Sequence, residues 1–293
     1  MLRSSNPVLS RRDAFTPAPA QGQSPFIGQQ ASDQYAGQPY GYGQPYGQQQ
    51  YGQPSGQASY GVQAPTEGRM TFDDVITRTA ITMAVLVAAA VVSWWSISAG
   101  LVPAAVMFPA MLLSALVGFV TAFVVTVRHR VSPPLVLVYS AIQGVFIGML
   151  SRLFESLYDG IVGQAVIGTF VAAGVTLAVY KIFNVRVTST FRKVVIIATA
   201  GFAVTMLINL VFALFGVDLG LRGVGNFSAL SVLFSAIGVT LAVLNLVLDF
   251  DYIERGVRMG APASQSWLGA FGLTVTMVWL YVEILRILSY FRR

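Results

Sequence analysis

The stretch ITRTAITMAVLVAAAVVSWWSI, residues 76–97, is apolar almost throughout. A helix of about 20 such residues spans the roughly 30 Å hydrocarbon core of a bilayer. The stretch closes on Trp94 and Trp95, and tryptophan is enriched where lipid meets water. It therefore predicts a transmembrane helix.

Six more apolar runs follow along the chain. They cover about residues 101–127, 134–154, 161–182, 194–215, 227–249 and 267–290, and the sixth is expected to continue as helix toward Arg258. No run alternates between polar and apolar residues with a period of two, which excludes a transmembrane β-barrel. The predicted fold is an all-α membrane protein, a bundle of seven transmembrane helices.

Composition agrees with this fold class. Of 293 residues, 55% are hydrophobic and 10% are charged, and the mean hydropathy is +0.67, whereas soluble domains carry about 25% charged residues. The net charge of +6 comes from basic residues between the apolar runs rather than along one stripe, so we expect no nucleic-acid partner.

The residues needed for common enzyme chemistry are missing from the sequence. It has no cysteine and a single histidine, which argues against thiol chemistry, a zinc site and a Ser-His-Asp triad. It also lacks the motifs of nucleotide-binding enzymes, serine hydrolases and zinc proteases. We therefore expect a protein that is not an enzyme and holds no cofactor.

Residues 1–70 differ in composition from residues 71–293. The segment QYAGQPYGYGQPYGQQQYGQPSGQASYG, residues 34–61, repeats a unit rich in Gln, Gly, Tyr and Pro. Such a sequence has too few aliphatic side chains to offset the entropy lost on folding. It predicts a disordered cytoplasmic tail, which is either a solvated extension or a region that binds a membrane protein partner, followed by a transmembrane domain at 71–293.

The basic residues predict the orientation of the spans. With the N-terminus inside, ten of them flank the spans on the cytoplasmic side and five on the outer side, and an excess of Arg and Lys marks the inside. The ten are Arg69, Arg78, Arg128, Arg130, Lys181, Arg186, Arg192, Lys193, Arg255 and Arg258. The five are Arg152, Arg222, Arg286, Arg292 and Arg293. The prediction is a multi-pass protein of the bacterial cell membrane with a cytoplasmic N-terminus.

The sixth run ends in NLVLDFDYIERG, residues 245–256, which is rich in acids for a membrane span. Ionisable groups inside spans are costly and usually face a bundle interior or an ion path. Asn245 and Asp249 are four residues apart and share one helical face, so we expect Asp249 to face inward. Asp251 points well away from that face, and we expect it to meet water at the cytoplasmic end together with Glu254.

Each interior acid also has a purely structural interpretation. Asp249 would then face Arg255 or Arg258 near the end of its helix. Glu283, in the last run, would pair with Arg286 three residues on and neutralise it within one helix.

Four segments, taken in order, resemble the Bax inhibitor/YccA family, also called the transmembrane BAX inhibitor motif proteins. They are SPPLVLVYSAIQGVFIGMLSRLFE (132–155), IVGQAVIGTF (161–170), LVLDFDYIERG (246–256) and WLYVEILRIL (279–288). The similarity covers about residues 72–291, and tails like the one seen here occur on actinobacterial members.

The resemblance implies a bundle with a central helix surrounded by the others. Some family members leak Ca²⁺ under the control of pH through two aspartates on the last two helices, eukaryotic members suppress cell death, and some bacterial members bind a membrane protease. Asp249 and Ile253 match the family's DxxxI motif, and Arg128 matches its basic cluster, implying a cytoplasmic brace. The second acid matches either Glu283 or Thr276, depending on which end of the last motif is aligned.

Two hypotheses about function follow. In the first, the chain is a pH-sensitive Ca²⁺ leak in which Asp249 and Glu283 share a proton, with Asp251, Thr276 and Asn245 beside the pathway and Ca²⁺ bound only weakly and transiently at Asp249. In the second, it is a non-conducting adaptor that binds a membrane protease or another envelope protein. Residues alone do not separate the two.

Overall fold

The computed structural model describes residues 68–128, 132–217, 219–221 and 228–292, without the side chains of residues 104 and 126–128. Apart from residues 68–70, the predicted tail lies outside this part of the chain, and its division from the membrane domain stays a prediction.

The described residues form seven helices, which confirms the predicted fold. They are α1 (Phe72–Ser98), α2 (Ala104–Arg128), α3 (Pro133–Leu157), α4 (Ile161–Ile182), α5 (Ser189–Leu214), α6 (Ala229–Arg258) and α7 (Gln265–Phe291). The bounds agree with the sequence to within a few residues. Helix α5 begins earlier than predicted because Thr188 caps it, its hydroxyl accepting from the Phe191 amide.

All seven helices have the length and hydropathy of membrane spans. Large apolar side chains cover the outer surface of the bundle: Phe108 is 62% exposed, Phe170 58% and Ile197 71%. Apolar surface of this extent is stable only in contact with lipid. The chain is therefore a multi-pass membrane protein.

Helix α7 is the central element, packing against α1, α3, α4 and α6. Buried hydroxyl groups tie it to two of these neighbours. The hydroxyls of Thr82 in α1 and Thr274 in α7 lie 3.0 Å apart, and those of Ser151 in α3 and Tyr281 in α7 lie 2.7 Å apart. Each pair satisfies polar groups for which lipid offers no partner.

Glycines set how closely α1 packs on α3. A Cβ atom at Gly144 would lie 2.3 Å from the carbonyl oxygen of Leu86, and one at Gly148 would lie 2.3 Å from that of Ala90. Only glycine allows backbones to approach this closely. This close contact sets the positions of α1 and α3 relative to each other, and α7 packs against both.

The segment before α1 is held by the turn between α6 and α7. The Met70 amide donates to the carbonyl of Ala261 at 2.7 Å, and the Ala263 amide donates to that of Gly68 at 2.7 Å. The guanidinium of Arg78 lies 5.3 Å from the ring centroid of Trp267. We call this end of the bundle the α6–α7 end; the connection between α4 and α5 lies there too. The opposite end, where α3 joins α4, is called the α3–α4 end.

Candidate functional site at the interface of α6 and α7

Asp249 faces α7. The Thr276 hydroxyl donates to Asp249 Oδ2 at 2.6 Å. One turn earlier on the same face of α7, a Cβ atom at Gly272 would lie only 3.1 Å from Oδ1. The carboxyl group is therefore covered by the backbone of α7 at one position and accepts a hydrogen bond from its side chain at the next, while Asp249 as a whole residue is half-buried.

Glu283 lies at a different level of the same interface. Its side chain is fully buried, and a Cβ atom at Gly238 of α6 would lie 2.8 Å from its Cδ atom and 3.0 Å from Phe202 of α5. Gly238 and Asp249 are eleven positions apart in α6, which corresponds to about 16 Å of helix rise. The two carboxyl groups therefore do not meet, and the expectation that they share a proton is wrong.

The structure places one of the two candidates for the second acid position beside Asp249. Thr276, rather than Glu283, lies opposite Asp249. Glu283 is seven positions further along α7, or about 10 Å of rise. The structural interpretation of Glu283, a pair with Arg286 within α7, stays a prediction.

The prediction that Asp251 meets water is wrong. The residue is only 8% exposed, and its carboxylate forms ion pairs with two arginines. Its Oδ2 atom accepts from Arg192 Nη2 of α5 at 2.9 Å and also pairs with Arg255 one turn along α6. The pair with Arg192 links α5 to α6. Asp251 thus belongs to an ion cluster at the α6–α7 end and not to the interface with α7.

Glu254 lies beside this cluster and is partly exposed, in partial agreement with the prediction. It accepts a hydrogen bond from the hydroxyl of Tyr180 in α4 and pairs with Arg258. Both arginines that were candidate partners of Asp249 are thus bound to other acids, so the structural interpretation of Asp249 is wrong.

Asn245 is turned toward α5, although it is one turn from Asp249 in α6. Its side-chain amide donates to Thr199 Oγ1 at 2.8 Å and to the carbonyl of Leu241 at 2.8 Å. It therefore fixes the contact between α5 and α6 and does not extend the Asp249 site.

Two further expectations concern Arg128 and a metal site. Arg128 is the last residue of α2, and its side chain lies outside the described part of the structure, so the proposed brace stays a prediction. Within the described ranges, no group of three or more His, Cys, Asp or Glu side chains is arranged to hold a metal ion.

Sequence reasoning missed Arg192 and Gly272. Arg192 is far along the chain from Asp251, and nothing in a single sequence pairs them. Gly272 carries a weak signal, because a glycine one turn before Thr276 leaves room for a side chain from a neighbouring helix. Its position opposite Asp249 still required the packing of α6 on α7.

Comparison with known proteins gives one family match. The sequence model of a protein family described as Bax inhibitor 1 like matches residues 6–293. The match includes most of the N-terminal tail, which the resemblance of the spans had left outside. No curated protein matches the chain.

Proposed function

This chain belongs to the Bax inhibitor 1 like family, and on that basis we propose that it is a cation leak, with Ca²⁺ as the permeant ion and Asp249 as the group that makes flux depend on pH. The observation that carries the proposal is the hydrogen bond of 2.6 Å from Thr276 to Asp249 within the α6–α7 interface. An acid inside a membrane bundle is costly unless it is used.

The chemistry at Asp249 suits passage better than storage. Its carboxylate and the Thr276 hydroxyl offer three oxygens, whereas Ca²⁺ takes six to eight ligands in a tight protein site. A cation would keep much of its water there and exchange quickly. Conduction requires such weak occupancy, since a tightly held ion does not leave.

The proton controls whether the interface stays closed. When Asp249 is protonated, a neutral group lies under Gly272 and Thr276 and the helices remain packed. Loss of the proton places a negative charge between α6 and α7, where lipid and backbone cannot solvate it. Separation of the two helices then admits water and a cation, so flux rises with pH.

The ion pair between Arg192 and Asp251 acts as a tie between α5 and α6. Replacing Arg192 by Gln is expected to raise the Ca²⁺ leak at acidic pH by about two- to fivefold, because a partly exposed ion pair contributes about 0.5–1 kcal/mol. The measurement is the rate of dye response in Ca²⁺-dye liposomes that contain the purified chain.

Arg255→Gln is the matched control. It removes one positively charged partner of the same Asp251 carboxylate. Because Arg255 and Asp251 are on one helix, no link between helices is lost. A leak that rises equally in both variants would contradict a tie between α5 and α6.

The same liposomes separate conduction from the alternative function. A non-conducting adaptor would give no flux at any pH, and crosslinking in cells would then recover a membrane protein partner that is lost when residues 1–67 are deleted. We favour the leak because Asp249 is held within the bundle rather than on a surface open to a partner.

The remaining parts of the proposal concern location and class. We place the protein in a bacterial cell membrane, with its N-terminus in the cytoplasm and a tail of the actinobacterial type. This orientation puts the Asp251 cluster on the cytoplasmic side. We propose no enzymatic activity and no cofactor; protease accessibility of the tail in intact and opened cells tests the orientation.

A further inference from the structure

An apolar groove lies between α1 and α4, away from the Asp249 site. Its volume is about 410 Å³, and its floor is formed by α3 and α7. The walls include Val91 of α1, which is 61% exposed, and Phe170 of α4, which is 58% exposed. Because these side chains face outward, the groove is open to the surrounding lipid along its length.

The hydroxyl groups that line the groove have hydrogen-bond partners within the bundle. The hydroxyls of Ser151 and Tyr281 lie 2.7 Å apart, and the Thr169 hydroxyl donates to the carbonyl of Ala165 at 2.7 Å. The groove therefore offers a hydrocarbon-like surface, suited to an apolar chain and unsuited to a polar ligand.

The length of the groove matches one leaflet of a bilayer. Along α1 it runs from Met83 to Trp94, eleven positions or about 16 Å of helix rise. This is close to half of the roughly 30 Å hydrocarbon core. Trp94 is one turn from the end of α1 at Ser98, so the groove starts near the interface with water and ends near the middle of the membrane.

A cation lies at the interfacial end. The guanidinium of Arg152 is 5.9 Å from the ring centroid of Trp94, and it forms no ion pair with any residue in the described ranges. The nearby acid, Glu155, accepts from the amides of Gly160 and Val162 at the start of α4. Arginine suits phosphate because its planar fork donates two parallel hydrogen bonds.

From the charge, length and lipid-facing opening we propose that the groove binds one phospholipid with an anionic head group. One acyl chain lies between α1 and α4, and the head group is held by Arg152 at the α3–α4 end. The site is separate from Asp249 and does not depend on ion conduction.

Native mass spectrometry of the full chain, released from membranes of equal phosphatidylglycerol and phosphatidylcholine with identical acyl chains, tests the proposal. We expect one retained lipid, with phosphatidylglycerol favoured about fivefold, since a basic residue near a membrane surface contributes about that factor. Arg152→Gln is expected to lose this preference, and Arg186→Gln, an exposed charge at the opposite end, is expected to keep it.

A second pair of variants tests the groove itself. Val166 lines the groove and is 39% exposed, so Val166→Trp fills the groove from the lipid side and is expected to abolish retention of either lipid. Ile197→Trp places the same ring on the lipid-facing surface of α5 and is expected to change nothing. An unchanged unfolding temperature in each variant shows that the bundle is intact.

Three results would overturn the proposal. The first is equal retention by wild type and Val166→Trp, and the second is a wild type that does not distinguish the two lipids. The third is a complex of two chains without lipid that Val166→Trp reduces to one chain, which would assign the groove to a second copy.

Discussion

Asp249→Asn is expected to leave a Ca²⁺ flux that no longer changes with pH and that stays at the low level of the wild type in acid. A charged carboxyl inside a membrane costs about 2.5 kcal/mol or more. Titration of Asp249 is therefore able to shift the balance between closed and open forms by more than about tenfold. Asparagine keeps the shape and the acceptor for Thr276 but cannot carry the charge.

The flux is measured in Ca²⁺-dye liposomes over a series of pH values, with the same protein load in each preparation. Asp73→Asn is the matched control, because Asp73 is exposed in the first turn of α1 and its charge is already in water. This variant is expected to keep the wild-type profile. A flux in Asp249→Asn that still rises with pH would remove Asp249 from the mechanism.

Gly148→Ala is expected to lower the free energy of unfolding by about 1–3 kcal/mol, the usual cost of overpacking a well-packed interior. The added Cβ atom would lie 2.3 Å from the Ala90 carbonyl oxygen. A backbone carbonyl in a helix cannot turn aside as a flexible side chain does, so α1 must move away from α3. The measurement is unfolding of the purified chain in a detergent titration followed by circular dichroism.

Gly174→Ala in α4 is the control for this prediction. Nothing lies within 4 Å of a Cβ atom at that position, and alanine favours helix over glycine by about 1 kcal/mol. We expect no loss of stability there. An equal loss in both variants would mean that the α1–α3 contact is not the cause.

Local sequence was sufficient for the elements of this fold. The length of each apolar run predicts each span, because a helix must cross a layer of given thickness with its backbone groups paired internally. Residues such as Thr71 with Asp74, and Ser228 with Ser231, begin α1 and α6 by capping free amides. These effects act within one turn and do not depend on other helices.

The site was only partly predictable, because it depends on contacts between different helices. The four-residue spacing of Asn245 and Asp249 gives a shared face, but it does not tell which neighbour each side chain meets: one bonds Thr199 of α5 and the other Thr276 of α7. Asp251 was expected in water because its partner Arg192 comes from another helix, and the sequence does not show that the two residues meet. Contacts between helices are not encoded in the periodicity of either one.

The sequence by itself determined that the chain crosses a membrane seven times, because the transfer of each apolar run from water to lipid depends on the residues of that run alone. Only the tertiary structure decided that Asp249 faces α7 and that Thr276, rather than Glu283, lies beside it. That choice depends on how far α7 slides along α6. The sliding is set by close contacts at Gly238 and Gly272, which exist only when both helices are packed.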